Sequence, residues 1–173
     1  DINPINSPMG AYRAHRIEER LEGTNRADVP LCQAIQNDVF SLQAEEICEF
    51  LQTHLSAETD PLRDWDYTYD ETSTQATLFE AIYQELRRAV FGDGGLGANA
   101  LNALLDETGI FADFYDHFDR VLFDTASPWW DGLEPEKVIT HAVERAVEQQ
   151  RIPWGLKNSV WMRHILFGQV LPT

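Results

Sequence analysis

Three arginines at helical spacing form the most chemically suggestive group in this sequence. Arg13, Arg16 and Arg20 fall within residues 9–21 (MGAYRAHRIEERL) of a chain whose formal net charge is -16. On a helix they would lie together along one edge of an apolar face. Arg16 has an acid three residues later, whereas Arg13 has no acid at helical spacing. Because a guanidinium binds carboxylate or carbonyl oxygens, we expect Arg13 to bind elsewhere in this acidic chain or at a site completed by other polypeptide.

A second candidate is a cluster of residue types that bind metals. Asp113, Asp116, His117 and Asp119 fall within one short segment, and Asp113 and His117 stand four residues apart, so they could share an ion on one helix face. Third and fourth ligands are not evident. Aspartates interleaved with apolar residues are equally typical of the solvated face of a helix. A helical metalloprotein therefore stays an open, weaker alternative.

Other catalytic arrangements are not evident in the sequence. The glycine-rich residues 92–97 (GDGGLG) follow no predicted strand and precede no Gly-Lys-Ser/Thr, so they indicate a turn rather than a phosphate-binding loop. The chain has no Gly-x-Ser-x-Gly elbow, and no histidine stands at a recognisable spacing from a serine or cysteine. We find no self-contained nucleophilic site.

The elements that must position these residues are predicted to be helices. Apolar residues recur at steps of three and four along most of the chain. The first predicted elements are an extended arm over residues 1–10, a helix from about residue 11, a long helix over 31–55 and an acidic loop over 56–72. A helix from 73 or 74 that ends at Gly92, a flexible glycine-rich turn and a short helix before Gly109 follow. The last predicted elements are an apolar helix over 111–122, a helix from Pro135 to Ala146, and a final helix carrying Trp154, Trp161, Ile165 and Leu166. We predict an all-α fold of about seven helices in one compact bundle-like domain over residues 11–173.

Cys32 and Cys48 fall within the predicted long helix, sixteen positions apart. At ~1.5 Å per residue their Cα atoms would be about 24 Å apart, far beyond the roughly 4.4–6.8 Å of a disulfide. We expect both to be small core side chains, and a break in the helix is the alternative that would allow a bridge.

Composition limits the classes of partner. The chain has 29 acidic and 13 basic residues, and such a surface repels nucleic acid and anionic lipid headgroups. No apolar run approaches the ~18 residues of a membrane span, and no secretion signal is recognisable. The chain starts with Asp1 rather than Met, so we expect it to be processed, trimmed or excised from a longer protein.

Several segments together resemble the penicillin acylase family. Residues 2–21 (INPINSPMGAYRAHRIEERL) are similar to the family's Asn-Pro-rich arm and Tyr-Arg-Ala-x-Arg-Ile helix. The other similar segments are residues 34–44 (AIQNDVFSLQA), 65–66 (WD), 76–79 (ATLF), 86–91 (LRRAVF), 154–155 (WG) and 163–164 (RH). The family's usual histidine after Trp-Gly is replaced here by Asn158.

This resemblance implies an N-terminal-nucleophile hydrolase with an αββα fold, made as an autoproteolytic precursor, of which this chain is a helical segment of the large (β) subunit. Self-cleavage exposes a serine whose α-amino group, with pKa ~7.7–8.0, serves as the base. We expect that serine and the oxyanion-hole asparagine to lie outside this chain, because Ser7 is internal. The resemblance carries over one catalytic residue, Arg13, which is expected near the nucleophile. Arg16 and Arg20 are expected to bind structural carboxylates.

The predicted function is therefore part of a penicillin-acylase-like amidohydrolase that is inactive as this segment alone. Its partners would be the remaining segments of the acylase and a small acyl-amide substrate, such as a β-lactam, an acyl-homoserine lactone or a lipopeptide. The resemblance also implies a periplasmic or extracellular location and a calcium ion in the intact protein, with no cofactor or metal residue in this segment. The alternative is a free-standing acidic helical module that binds a basic protein.

Overall fold

Eight α-helices dominate the parts of the chain that the structure describes. The structure is a computed structural model, and it describes residues 10–108, 115–149 and 151–159 together with the backbone of 163–164 and 168–169. The α-helices are α1 (Tyr12–Leu21), α2 (Val29–Gln36), α3 (Leu42–Gln52), α4 (Thr74–Arg87), α5 (Ala98–Thr108), α6 (Tyr115–Phe123), α7 (Pro135–Val147) and α8 (Trp154–Lys157). A π-helix (Arg88–Leu96) continues α4, and a 3-10 turn (Pro128–Trp130) follows α6. The all-α prediction is confirmed.

The hydrophobic core is built chiefly by α3, α4, α6 and α7, and α4 packs most extensively against α7. Full burial of a Leu, Ile or Phe side chain stabilises a protein by about 1.5–3 kcal/mol, so these helices supply most of the apolar stabilisation. The largest fully buried apolar side chains on them are Ile47, Leu51, Phe79, Ile82, Leu86, Phe118, Leu122 and Ile139.

Two helices begin where their sequence signals place them. The Ser73 hydroxyl accepts a hydrogen bond from the Ala76 N–H and caps α4. Pro135 occupies the first turn of α7, where its missing N–H costs no intrahelical hydrogen bond. Helix α1 begins at Tyr12, one residue after the predicted start.

The single long helix predicted over residues 31–55 is wrong, because the chain breaks between α2 and α3. The Asp38 carboxylate accepts a hydrogen bond from the Phe40 N–H at 3.1 Å, and the Ser41 hydroxyl caps α3. Side-chain acceptors of this kind compete with the backbone pattern of a helix. Phe40 also forms an antiparallel bridge with Thr68, which ties the break to the loop before α4.

The break places the two cysteines on different helices, and they differ in burial. Both are free thiols. Cys48 is buried as predicted, and that burial raises the pKa of its thiol to about 12. Cys32 is exposed, so its predicted place in the core is wrong, because α2 buries none of its side chains.

The predicted helix end at Gly92 and the flexible turn after it are also wrong. The chain continues as the π-helix through Leu96, and Gly97 ends it with φ of +83°. A Cβ at Gly95 would lie 2.4 Å from the Trp129 ring, so that glycine permits a close approach of the tryptophan. Gly95 therefore serves packing, and Gly97 serves helix termination.

The C-terminal helix is shorter than predicted. Helix α8 ends at Lys157, and Arg163–His164 (β1) pairs antiparallel with Gly168–Gln169 (β2). The other residues predicted to mark this helix and the start of the apolar helix, Trp161, Ile165, Leu166, Phe111 and Phe114, lie outside the described residues. The predicted arm, apart from Gly10, also lies outside the described residues. The boundaries of the arm and of the domain therefore stay predictions. No helix in the described parts of the chain combines the length and apolarity needed to cross a membrane.

Candidate active site

A cavity of about 360 Å³ lies beside α1. Its lining includes two guanidinium groups, from Arg13 and Arg16, and two carboxyl groups, from Asp38 and Glu80. Its aromatic lining consists of Tyr12, Phe40, Tyr69 and Tyr115. Such a lining can orient a polar ligand and shield its apolar part, because charged donors stand next to aromatic surface.

Arg13 occupies the first turn of α1 and is exposed. Its Nη2 donates a hydrogen bond to the backbone carbonyl of Ile35 in α2 at 3.1 Å. Within the residues that the structure describes, no carboxylate pairs with it. A guanidinium has five N–H donors, so Arg13 keeps donors for a further partner at the cavity. The placement is compatible with the predicted catalytic role, which stays a prediction.

Arg16 and Arg20 bind structural carboxylates, as expected. Arg16 Nε donates to Asp38 Oδ2 at 2.9 Å and its Nη1 to Glu19 Oε2 at 3.1 Å, while Arg20 Nε lies 3.5 Å from the same Asp38 oxygen. The Arg16 guanidinium also stacks 4.3 Å from the Phe40 ring centroid. Partial burial acts to raise the pKa of Asp38, but the hydrogen bonds from Phe40 and Arg16 outweigh it and lower that pKa. These contacts join α1 to the break between α2 and α3.

Asp119 is a buried carboxylate that joins three helices to α6. Its side chain is among the most buried in the described chain, with the residue 2% exposed. Oδ2 accepts hydrogen bonds from Tyr12 OH of α1 at 3.1 Å and from Gln43 Nε2 of α3 at 2.8 Å, and Oδ1 accepts one from Tyr83 OH of α4 at 2.7 Å. Burial raises the pKa of Asp119 to about 6, although the three hydrogen bonds act to lower it.

The start of α1 is held close to α6. The rings of Tyr12 and Tyr115 stack with centroids 6.3 Å apart. A Cβ at Gly10 would lie 2.6 Å from the Tyr115 ring, so only glycine allows the backbone this close. The segment directly before Arg13 is therefore fixed against α6 by a close approach, a ring contact and the Tyr12 hydrogen bond.

The metal hypothesis finds no support among the described residues. There, no group of three or more His, Cys, Asp or Glu side chains is arranged to hold a metal ion. Asp116 pairs with Arg120 at 3.0 Å, and the oxygens of Asp119 are engaged by the three donors described above. Asp113 lies outside the described residues.

Ser41 is the serine in the described lining of the cavity, and its hydroxyl already caps α3. The described lining thus supplies cations, acids and aromatic surface rather than an activated nucleophile.

Sequence reasoning missed the partners of Asp119. Tyr12, Gln43 and Tyr83 come from three separate helices, and no local spacing connects them. One signal was available: Asp119 stands four residues after Tyr115 and three before Leu122, at the spacing of the apolar stripe. Because a buried carboxylate requires donors, this spacing could have indicated partners from other helices.

Comparison with known proteins supports the family resemblance that the sequence segments suggested. The family model described as penicillin amidase matches residues 3–171, nearly the whole chain. Searches of curated proteins and of solved structures gave no match. The matched span includes the cavity lining, Arg13 and the Asp119 contacts, and the chain belongs to the penicillin amidase family.

Proposed function

We propose that the protein is an N-terminal-nucleophile amide hydrolase that cleaves the bond between an acyl group and an amine. In this proposal the 173 residues supply helical support and Arg13, and the nucleophilic serine comes from polypeptide outside them. The family match over residues 3–171 is the observation that carries the proposal. The position of Arg13 on a cavity, with one carbonyl as its partner, supports it further.

The proposed reaction needs no separate histidine. The free α-amino group of the first residue removes the serine proton, and the hydroxyl oxygen attacks the amide carbonyl. The amine product leaves with a proton, and water then hydrolyses the acyl-serine ester to release the acid. An α-amino group suits this task because its pKa, ~7.7–8.0, lies near neutral pH.

The proposed role of Arg13 is electrostatic. A guanidinium close to the α-amino group disfavours the ammonium form, lowers the amine pKa and so leaves more free base at neutral pH. Its fork of N–H groups also holds oxygen acceptors of the site in fixed geometry. A substitution can separate these two effects, because lysine keeps the positive charge but lacks the planar arrangement of N–H groups.

The test uses the intact protein that contains this chain, with p-nitroanilides of phenylacetic, hexanoic and dodecanoic acids as probes. Arg13→Ala should lower kcat by about 10²–10³-fold and move the acid limb of the kcat/KM profile to higher pH. Arg13→Lys should also lower kcat but leave that limb in place. Arg63→Ala, which removes an exposed arginine from the loop before α4, is the matched control and should retain wild-type kinetics.

One result would overturn the role of Arg13, and another the hydrolase function itself. Normal kcat in both Arg13 variants, with a large loss of stability, would make Arg13 a structural contact. Absence of hydrolysis on all probes, together with salt-sensitive binding of a basic protein, would favour the acidic binding module instead.

The remaining properties are proposed from family membership alone. A β-lactam, an acyl-homoserine lactone and a lipopeptide stay equal candidates for the substrate, because the described cavity does not identify an acyl pocket. A periplasmic or extracellular location is proposed on the same basis. The described residues hold no group of three or more acidic, histidine or cysteine side chains arranged for a metal, so no step is assigned to calcium.

A further inference from the structure

Helix α1 carries Arg13 but contributes no buried side chain to the core. Its position therefore depends on contacts made by single residues, which are the Tyr12 hydrogen bond and ring stack, the close approach of Gly10 to Tyr115, and the ion pairs of Arg16 and Arg20. Arg13 itself contributes one exposed hydrogen bond to the Ile35 carbonyl, on a helix that also buries no side chain. That contact alone does not fix the guanidinium relative to the core.

Tyr12 provides the direct link from α1 to the core. It precedes Arg13 by one residue, and its hydroxyl donates to Asp119 Oδ2 at 3.1 Å. Asp119 is in turn held by Gln43 at 2.8 Å and Tyr83 at 2.7 Å, from two core helices. One hydrogen-bonded path from the core to Arg13 thus runs through one carboxylate and one phenol, beside the ring contact of Tyr12 with Tyr115.

We propose that Asp119 is a positioning residue for Arg13, acting through the Tyr12 hydroxyl to set the place of α1 at the cavity. This rests on the proposed function, because it assigns Asp119 an effect on turnover that operates only if Arg13 acts in the active site. Asp119 is not placed in contact with substrate. Loss of a contact that holds a metal ligand in place costs about 10–100-fold in affinity or activity, and we expect an effect of that order for a contact that holds Arg13.

Asp119 can act as an ionised acceptor at neutral pH, although the charges around it act against its ionisation. Its three hydrogen-bond donors are neutral: Tyr12 from α1, Gln43 from α3 and Tyr83 from α4. Asp116 of its own helix adds negative charge, and Glu46 of α3 acts on Tyr12. With its pKa near 6, Asp119 is ionised at neutral pH, and an ionised acceptor forms a stronger bond to the Tyr12 hydroxyl than a neutral one.

The experiment measures kcat and KM of the intact protein on the p-nitroanilide that it hydrolyses fastest. The variants are Tyr12→Phe, Asp119→Asn, Arg13→Lys and the double variant Tyr12→Phe with Arg13→Lys. Tyr12→Phe and Asp119→Asn should each lower kcat about 10-fold with KM within about twofold of wild type. Tyr67→Phe and Asp131→Asn are matched controls away from this network and should keep wild-type kcat.

The double variant separates positioning from a general structural effect. If Tyr12 acts through Arg13, adding Tyr12→Phe to Arg13→Lys should lower kcat by less than about twofold beyond Arg13→Lys alone. A double-variant loss equal to the product of the single losses would overturn the positioning proposal while leaving Arg13 catalytic. Wild-type kcat in Tyr12→Phe would also overturn it.

The failure of the role proposed for Arg13 looks different, and absence of hydrolysis on every probe would be the failure of the proposed function itself. Wild-type kcat in Arg13→Lys and Arg13→Ala would remove Arg13 from the active site, and the positioning proposal would fall with it. Should Asp119→Asn not fold, Tyr12→Phe still decides the question, because it removes one oxygen and leaves the ring in contact with Tyr115.

Discussion

Helix α4 buries nine of its side chains, whereas α1 buries none. The first is held by apolar packing, chiefly against α7, and the second by hydrogen bonds and ion pairs from Tyr12, Arg13, Arg16 and Arg20. Apolar burial is non-directional and strongly stabilising, while a typical hydrogen bond contributes only about 0.5–1.5 kcal/mol but is directional. The difference teaches that this molecule separates what keeps it folded from what places its candidate catalytic residue.

The largest expected effect comes from the α4 side of this comparison. Phe79 is 1% exposed and contacts the rings of Trp65, Tyr69 and Tyr83. Phe79→Ala should lower the free energy of unfolding by about 3–5 kcal/mol, because it removes buried apolar surface and leaves a cavity. Urea denaturation followed by circular dichroism measures the change.

The control for Phe79 is Phe123→Ala at the end of α6. That ring is 38% exposed and should cost less than about 1 kcal/mol. Equal losses in the two variants would break the comparison, since the core would then not depend on burial at α4.

Asp119 lies where the two regions meet, and its expected effect is intermediate. Its pKa of about 6 in the folded protein exceeds the ordinary value of 3.8, so the folded state holds the proton more tightly. This stabilisation is fully present below pH 3.8 and is lost as the pH rises through about 6. At ~1.36 kcal/mol per pKa unit, the effect is on the order of 3 kcal/mol.

The measurement is the free energy of unfolding of wild type and Asp119→Asn at pH 4, 5, 6 and 7. The difference, wild type minus variant, should fall across this range, because asparagine does not titrate. A constant difference would show that Asp119 keeps an ordinary pKa despite its burial. Glu45, whose pKa burial also raises, is retained in both proteins and cancels in the difference.

The smallest effect is expected on α1 itself. Arg16→Lys loses the paired donors to Asp38 and Glu19 and the planar stack on Phe40. Because Arg16 is partly solvated, the cost should be about 0.5–1 kcal/mol in urea denaturation. Arg26→Lys, an exposed arginine in the turn after α1, should cost nothing measurable. A loss above about 2 kcal/mol would contradict the comparison, because α1 would then contribute to stability as the core helices do.

Prediction from sequence succeeded where the physics is local. Ser73 predicts the start of α4 because its hydroxyl can accept a hydrogen bond from a free backbone N–H. Pro135 predicts the start of α7 because its ring suits the first helical turn. The apolar periodicity of α3, α4, α6 and α7 likewise predicted the helices that form the core.

Prediction failed where a residue's role depends on a distant neighbour. Asp38 and Ser41 carry local signals that end one helix and start the next, but the apolar steps across residues 31–55 continue through the break and predict one helix. Gly95 is required by its contact with Trp129, more than thirty residues away, so the glycine-rich segment predicts a flexible turn although this glycine serves packing. Asp119 is recognisable in the sequence as an acid, but the identity of its donors follows only from the packing of three other helices.

The hydrogen bond between Tyr12 and Asp119 joins residues 107 positions apart. Its acceptor is organised by α3, α4 and α6 together, because Gln43 and Tyr83 also hold the carboxylate. Closing a loop of this length is entropically costly, so the contact needs the packed core to repay it. We therefore expect α1 to dock onto a core that has already formed, so that Arg13 reaches its place only in a molecule whose core is complete.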